Sequence, residues 1–196
     1  FGFSAPEHDL NCAIRHWLHP DGEVTGGIVL VRGQVANSAF ADFIDYRHRV
    51  PMTEFQADEI RFPCGVQLAV LEPQRTIQLT YASPDGRLTF RCRQRSLWPV
   101  AGRLTGGGFS QPMRATGELN LDGVRMTIDG YALREHRWES SQALVGAVSP
   151  AGRGSAIFGP DLAFHFSARD SDLLDRANLD WGDVWLADEV RQLDSA

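Results

Sequence analysis

Residues 130–139 read Gly130-Tyr-Ala-Leu-Arg-Glu-His-Arg-Trp-Glu139 and set an acid, an imidazole, two guanidinium groups, a phenol and an indole in one short run. Ionisable groups at that density are costly to bury unless they are paired or used. In an extended chain alternate residues share a face, which puts Arg134, His136 and Trp138 on one side and Leu133, Glu135 and Arg137 on the other. A histidine on a cavity wall takes or gives a proton near neutrality. An arginine beside it holds a carboxylate or polarises a carbonyl oxygen. Trp138 would then form an apolar wall and Glu135 would orient a neighbour. The structural alternative is a polar cluster, with the histidine and indole tied to backbone carbonyls and Glu135 paired to an arginine. Residue chemistry by itself leaves both open.

The elements around this run read as strands. Asp122-Gly123, between Arg114–Leu121 and Val124–Ile128, is a two-residue hairpin signal that feeds directly into it. Upstream, Cys12–Leu18 and Val24–Arg32 form a hairpin about Pro20-Asp-Gly22. Val66–Leu71 and Arg75–Tyr81 alternate apolar with polar residues. Arg87–Arg95 alternates most cleanly, with Leu88, Phe90 and Cys92 inward and Arg87, Thr89, Arg91, Arg93 and Arg95 outward. Such an arginine stripe suits the solvated face of an antiparallel strand. Ala36–Met52 fits either a short helix or strand fragments. Trp98–Ser110, with Gly106-Gly-Gly108, reads as the joint between two halves. Downstream, strands are expected at Gln142–Val148, Gly154–Phe158 and Leu162–Ser167. Leu186, Val190 and Leu193 stand at i, i+4 and i+7 behind Asp183 and predict a short C-terminal amphipathic helix. The expected architecture is therefore all-β, of roughly ten to twelve strands, as in a barrel or sandwich.

Composition narrows the partners. All nineteen basic residues are arginine, so lysine Schiff-base chemistry and the lysine-dependent phosphate loop are excluded. Of the net charge of −6, residues 1–169 contribute nothing, with seventeen acids against seventeen bases; residues 170–196 carry eight acids and two bases. A neutral body with an acidic end argues against nucleic acid as a partner. Cys12, Cys64 and Cys92 sit in apolar runs and are expected as buried free thiols in a reducing, cytoplasmic compartment. No basic-then-apolar leader is expected, and no spanning helix either, since no apolar run is long enough to cross a bilayer. The histidines near the N-terminus (His8, His16, His19) show no ligand spacing, so neither metal nor cofactor is expected. Ser140-Ser141 lacks the context of a nucleophile elbow.

Asp129-Gly-Tyr-Ala-Leu-Arg-Glu-His-Arg-Trp138 resembles the Gly-x-x-x-x-Asp-His-x-Trp signature of the AttH/carotenoid-hydratase-like (CrtC-like) proteins. The hairpin Gly117–Gly123, the opening Phe3-Ser-Ala-Pro-Glu-His8, Gly26-Gly-Ile-Val-Leu30 and Leu71-Glu-Pro73 resemble the same family. The likeness covers residues 1–140, specific at the signature and diffuse elsewhere. This chain carries Glu135 in place of the aspartate, and Arg137 and Glu139 flank Trp138 where the family has serine and glycine. The resemblance implies two lipocalin-like antiparallel halves in tandem; with the joint and the charge pattern above, the expected division is residues 1–105, a short second β half over 106–169, and an acidic helical tail at 170–196. The resemblance also implies a greasy ligand, terpenoid, steroid or polyketide-like, that is hydrated, isomerised or cyclised. Alkene hydration begins with protonation to a carbocation. On that reading Glu135 and His136 are the catalytic residues, and Tyr131, Arg134 and Trp138 contact substrate. A non-catalytic lipophilic carrier, an interaction module recruiting a partner through the acidic tail, and a homo-oligomer stay open.

Overall fold

The computed structural model describes residues 1–19, 24–33, 41–51, 59–102, 108–137, 151–170, 177–187 and 189–194. Among them run fifteen strands and one short 3-10 turn, Pro6–His8. The strands are Gly2–Ala5 (β1), Leu10–His19 (β2), Val24–Arg32 (β3), Phe43–Pro51 (β4), Glu59–Arg61 (β5), Gln67–Glu72 (β6), Thr76–Ala82 (β7) and Leu88–Ser96 (β8). They continue with Ala101–Gly102 (β9), Gly108–Leu121 (β10), Val124–Arg137 (β11), Ala151–Ile157 (β12), Leu162–Asp170 (β13), Ala177–Leu186 (β14) and Glu189–Asp194 (β15). The expected turn at Pro20–Gly22, residues 103–107 of the joint, Trp138, Ser140-Ser141 and the strand expected at Gln142–Val148 lie outside the described residues.

The chain is all-β and antiparallel. Its sheets run β1-β2-β3-β4, β11-β10-β8-β7-β6-β5 and β12-β13-β14-β15, and each is an open path rather than a closed barrel among the described residues. Two compact units divide it: Phe1–Ser96 with Met113–Ala132, and Leu97–Pro112 with Leu133–Ala196. The units are thus discontinuous in sequence, with the tip of the β10–β11 hairpin in the first and its two ends in the second.

In the first unit the period-2 pattern decides which side chains go inward. β8 alternates fully, with Leu88, Phe90, Cys92 and Gln94 buried and Thr89, Arg91, Arg93 and Arg95 exposed. These inward residues meet Phe3, Cys12, Ile14, Val29 and Val31 of the first sheet in one continuous core. Edge-on contact of Phe3 with Phe90 at 5.3 Å and of Phe43 with Tyr81 at 6.1 Å locks the two layers. Each fully buried Leu, Ile or Val here contributes about 1.5–3 kcal/mol. Region 43–51, ambiguous in sequence, is a strand because it completes the β3 ladder from Val31↔Phe43 to Val24↔Pro51.

In the second unit a small core forms from Trp98, Ala101, Ala163 and Trp185 with Leu97 and Ile157 packed on it. The C-terminal helix expected from Leu186, Val190 and Leu193 is not formed: these residues belong to β14 and β15. A turn at Ala187 (φ 51°) interrupts the apparent helical spacing. In the resulting register Val190 lies opposite Trp185, and Leu193 opposite Gly182, so the three apolar residues do not share one stripe. The competing period-2 pattern prevails, with Asp183 and Trp185 both buried on the side of β14 that faces inward.

Candidate functional site

In the second unit Phe109 of β10 is the ring that Arg134 and His136 share. The guanidinium of Arg134 lies 4.9 Å above its ring centre, and the imidazole of His136 stacks on it at 5.7 Å and 24°. Arg134 and His136 meet one ring because they are two apart on β11 and project from the same side. Burial disfavours the charge on Arg134, and its Nε is enclosed without a hydrogen-bond acceptor among the described residues. The His136 side chain is exposed in part; the burial its ring does have, and then the neighbouring Arg134 charge, hold the pKa below the ordinary 6.5. Near neutrality it is therefore a neutral imidazole, suited to accept a proton. Glu135 is partly buried.

Tyr131 lies in the first unit. Its ring sits under the Arg114 guanidinium at 5.2 Å, and its main chain is fastened to Ser4, whose hydroxyl donates to the Tyr131 carbonyl at 3.2 Å. Arg114 is itself held by the Gly130 carbonyl at 2.6 Å and by the Asp129 carboxylate. Trp138 lies outside the described residues.

Register also produces a row that spacing alone does not reveal. On the inward side of β13 and β14, His165 stands directly opposite Asp183, and the Ser110 hydroxyl lies 3.0 Å from His165 Nδ1. All three are buried, as is Gln111, whose amide donates to the Trp98 carbonyl at 3.1 Å. The indole of Trp98 donates to the Ala187 carbonyl at 2.6 Å and closes this side of the core. The sequence signal available was polar residues at inward positions, His165 between Phe164 and Phe166 and Asp183 between two tryptophans.

The first unit carries its own buried polar groups. The Tyr81 hydroxyl donates to Asp45 at 2.9 Å, and Arg47 pairs with the same carboxylate at 2.7 Å. The Thr25 hydroxyl donates to the Trp17 carbonyl at 2.8 Å, so the 2.8 Å contact with His16 makes Nε2–H of His16 the donor. The ring of His16 lies 4.4 Å from that of Phe62, and burial lowers its pKa to about 4. Cys12, Cys64 and Cys92 are free and buried. Among the described residues no three acidic, cysteine or histidine side chains are grouped to hold a metal ion, and no helix is long and apolar enough to cross a membrane.

No curated protein and no solved structure matches the chain. One family model does, over residues 1–196, described as "Domain of unknown function (DUF7064)".

Proposed function

The chain belongs to the DUF7064 family, whose description carries no chemistry, and from the geometry of its second unit we propose that it binds an apolar small molecule bearing a carbonyl or carboxylate oxygen and moves a proton on it. The observation that carries this reading is the single platform formed by Phe109, with the Arg134 guanidinium on its ring and the His136 imidazole stacked against it. Phe109 offers an apolar face. Arg134, poorly solvated and with Nε unmatched, gains most from an oxygen acceptor on the ligand.

With the oxygen held by Arg134, neutral His136 removes a proton from the adjacent carbon. The C–H electron pair passes into a C=C–O⁻ unit that the guanidinium stabilises, and His136 returns the proton at another carbon. The net change is an isomerisation, with no atom gained or lost. Alkene hydration needs an acid at its first step and fits a neutral His136 less well. The AttH/carotenoid-hydratase resemblance supports the lipophilic character of the ligand and a lipocalin-like ancestry of the two β units.

The test is to expose the protein to a lipid extract and identify by mass spectrometry what stays bound. Wild type is expected to retain an apolar compound with a carbonyl or carboxylate. Phe109→Ala and Arg134→Met are expected to release it, and His136→Gln to retain it while its interconversion stops. Equal retention by Phe109→Ala and Arg134→Met would place the ligand elsewhere and end the proposal. Retention without interconversion in wild type would leave a carrier.

A further inference from the structure

On the first unit, the outward face of the β1–β4 sheet departs from the usual division of an antiparallel sheet into one packed and one polar side. The inward side holds Ile14, Val29 and Val31, all at 0% exposure. The outward side is nevertheless apolar too. Ile28 stands opposite Tyr46, and Leu30 opposite Ile44; Ile44 and Tyr46 are 57% and 56% exposed. Trp17 lies opposite Gly26, where any β-carbon would run into the indole, so the ring lies down on the sheet. Around it the rings of Trp17 and Tyr46 are 5.9 Å apart, and Tyr46 and His48 stack at 6.1 Å and 10°.

The charges on this face are of one sign. Arg15 and Arg32 are exposed and form no ion pair among the described residues, and the outward positions of β2, β3 and β4 described here include no carboxylate. Of the acids beside it, Asp45 of β4 points to the inward side, where it is held by Arg47 and Tyr81, and Asp42, just before β4, is turned onto the Gly33 N–H. In a chain of net charge −6 this segregation is selective. We infer that this face docks on an anionic lipid bilayer. Tryptophan and tyrosine rings settle at the headgroup level, exposed isoleucine enters the acyl boundary, and arginines meet lipid phosphates. A glycan platform would share the rings but gains nothing from an exposed Ile44, and contiguous exposed apolar surface of this kind marks an interaction site.

The experiment is co-sedimentation of the chain with vesicles of phosphatidylcholine alone and of phosphatidylcholine mixed with phosphatidylglycerol. Binding is expected to the mixed vesicles and to weaken with added salt. Arg15→Gln/Arg32→Gln is expected to weaken it about tenfold, and Ile44→Asp to abolish it. Arg93→Gln/Arg95→Gln removes the same charge from the other sheet and is expected to leave binding unchanged; equal loss there would reduce the effect to bulk charge and overturn the inference. It is also overturned if wild type stays in the supernatant. Self-association in sedimentation velocity that Ile44→Asp removes, without vesicle binding, would assign the face to a second copy instead.

Discussion

The α-carbon of Gly130 approaches the main chain of Ser4 so closely that a β-carbon there would run into the Ser4 carbonyl oxygen and come within 2.9 Å of Pro6. Ser4 meanwhile both donates to the Tyr131 carbonyl at 3.2 Å and accepts its N–H at 3.3 Å. The glycine that begins the ionisable run is thus where β11 crosses β1. Gly130→Ala cannot be relieved by a rotamer change and must move backbone. It is expected to cost about 2–4 kcal/mol, read as a lower urea midpoint with the slope unchanged.

That crossing shows what a one-dimensional pattern conveys and what it leaves out. The alternation of Leu88, Phe90 and Cys92 and the Asp122-Gly123 turn each specify local geometry, and both stand in the structure as read. The helical spacing of Leu186, Val190 and Leu193 was a coincidence of a strand end, a turn and a second strand, and the hydrogen-bond register of β14 with β15 resolved it. Phe109 follows a glycine run with no periodicity, so nothing near it in sequence marks it as the partner of Arg134 and His136. The meeting of Ser110 with His165, 55 residues apart, likewise depends on strand placement.

Acid is expected to destabilise the first unit through His16. Its imidazole is buried neutral, donating to Thr25, with a folded-state pKa of about 4 against an ordinary 6.5. The unfolded chain therefore binds the proton at higher pH than the folded one. The stabilisation is complete above about 6.5, is lost progressively as pH falls toward about 4, and changes no further below that. His16→Gln keeps a donor to Thr25 but cannot titrate, so urea midpoints measured from pH 7 to 4 should fall less steeply than in wild type. An equal slope would assign the acid sensitivity to other groups.

The thiols should be silent in the folded protein. Burial raises the pKa of all three, foremost for Cys12, and Cys92 is pushed up to about 12. Thiolate is the reactive species. Ellman's reagent at pH 8 is therefore expected to find almost no reaction in the native state and all three cysteines after denaturation. Prompt reaction of one equivalent would show that a thiol is reached without unfolding.

The carboxylate of Asp45 is held from two sides, by Arg47 at 2.7 Å and by the buried Tyr81 hydroxyl at 2.9 Å. Burial raises the Tyr81 pKa and the charge of Asp45 raises it further, so the phenol stays protonated and donates throughout the range in which the protein is handled. Tyr81→Phe removes one donor to a charged group and leaves the aromatic contacts to Phe43 and Phe90 intact. The loss is expected to be about 1.5–3 kcal/mol. Asp45→Asn in the Tyr81→Phe background tests the cause: once the phenol is gone, the second substitution should cost less than it does in wild type, since the two groups share one interaction. Strict additivity of the two urea-derived free energies would mean that Tyr81 stabilises the first unit through its ring alone.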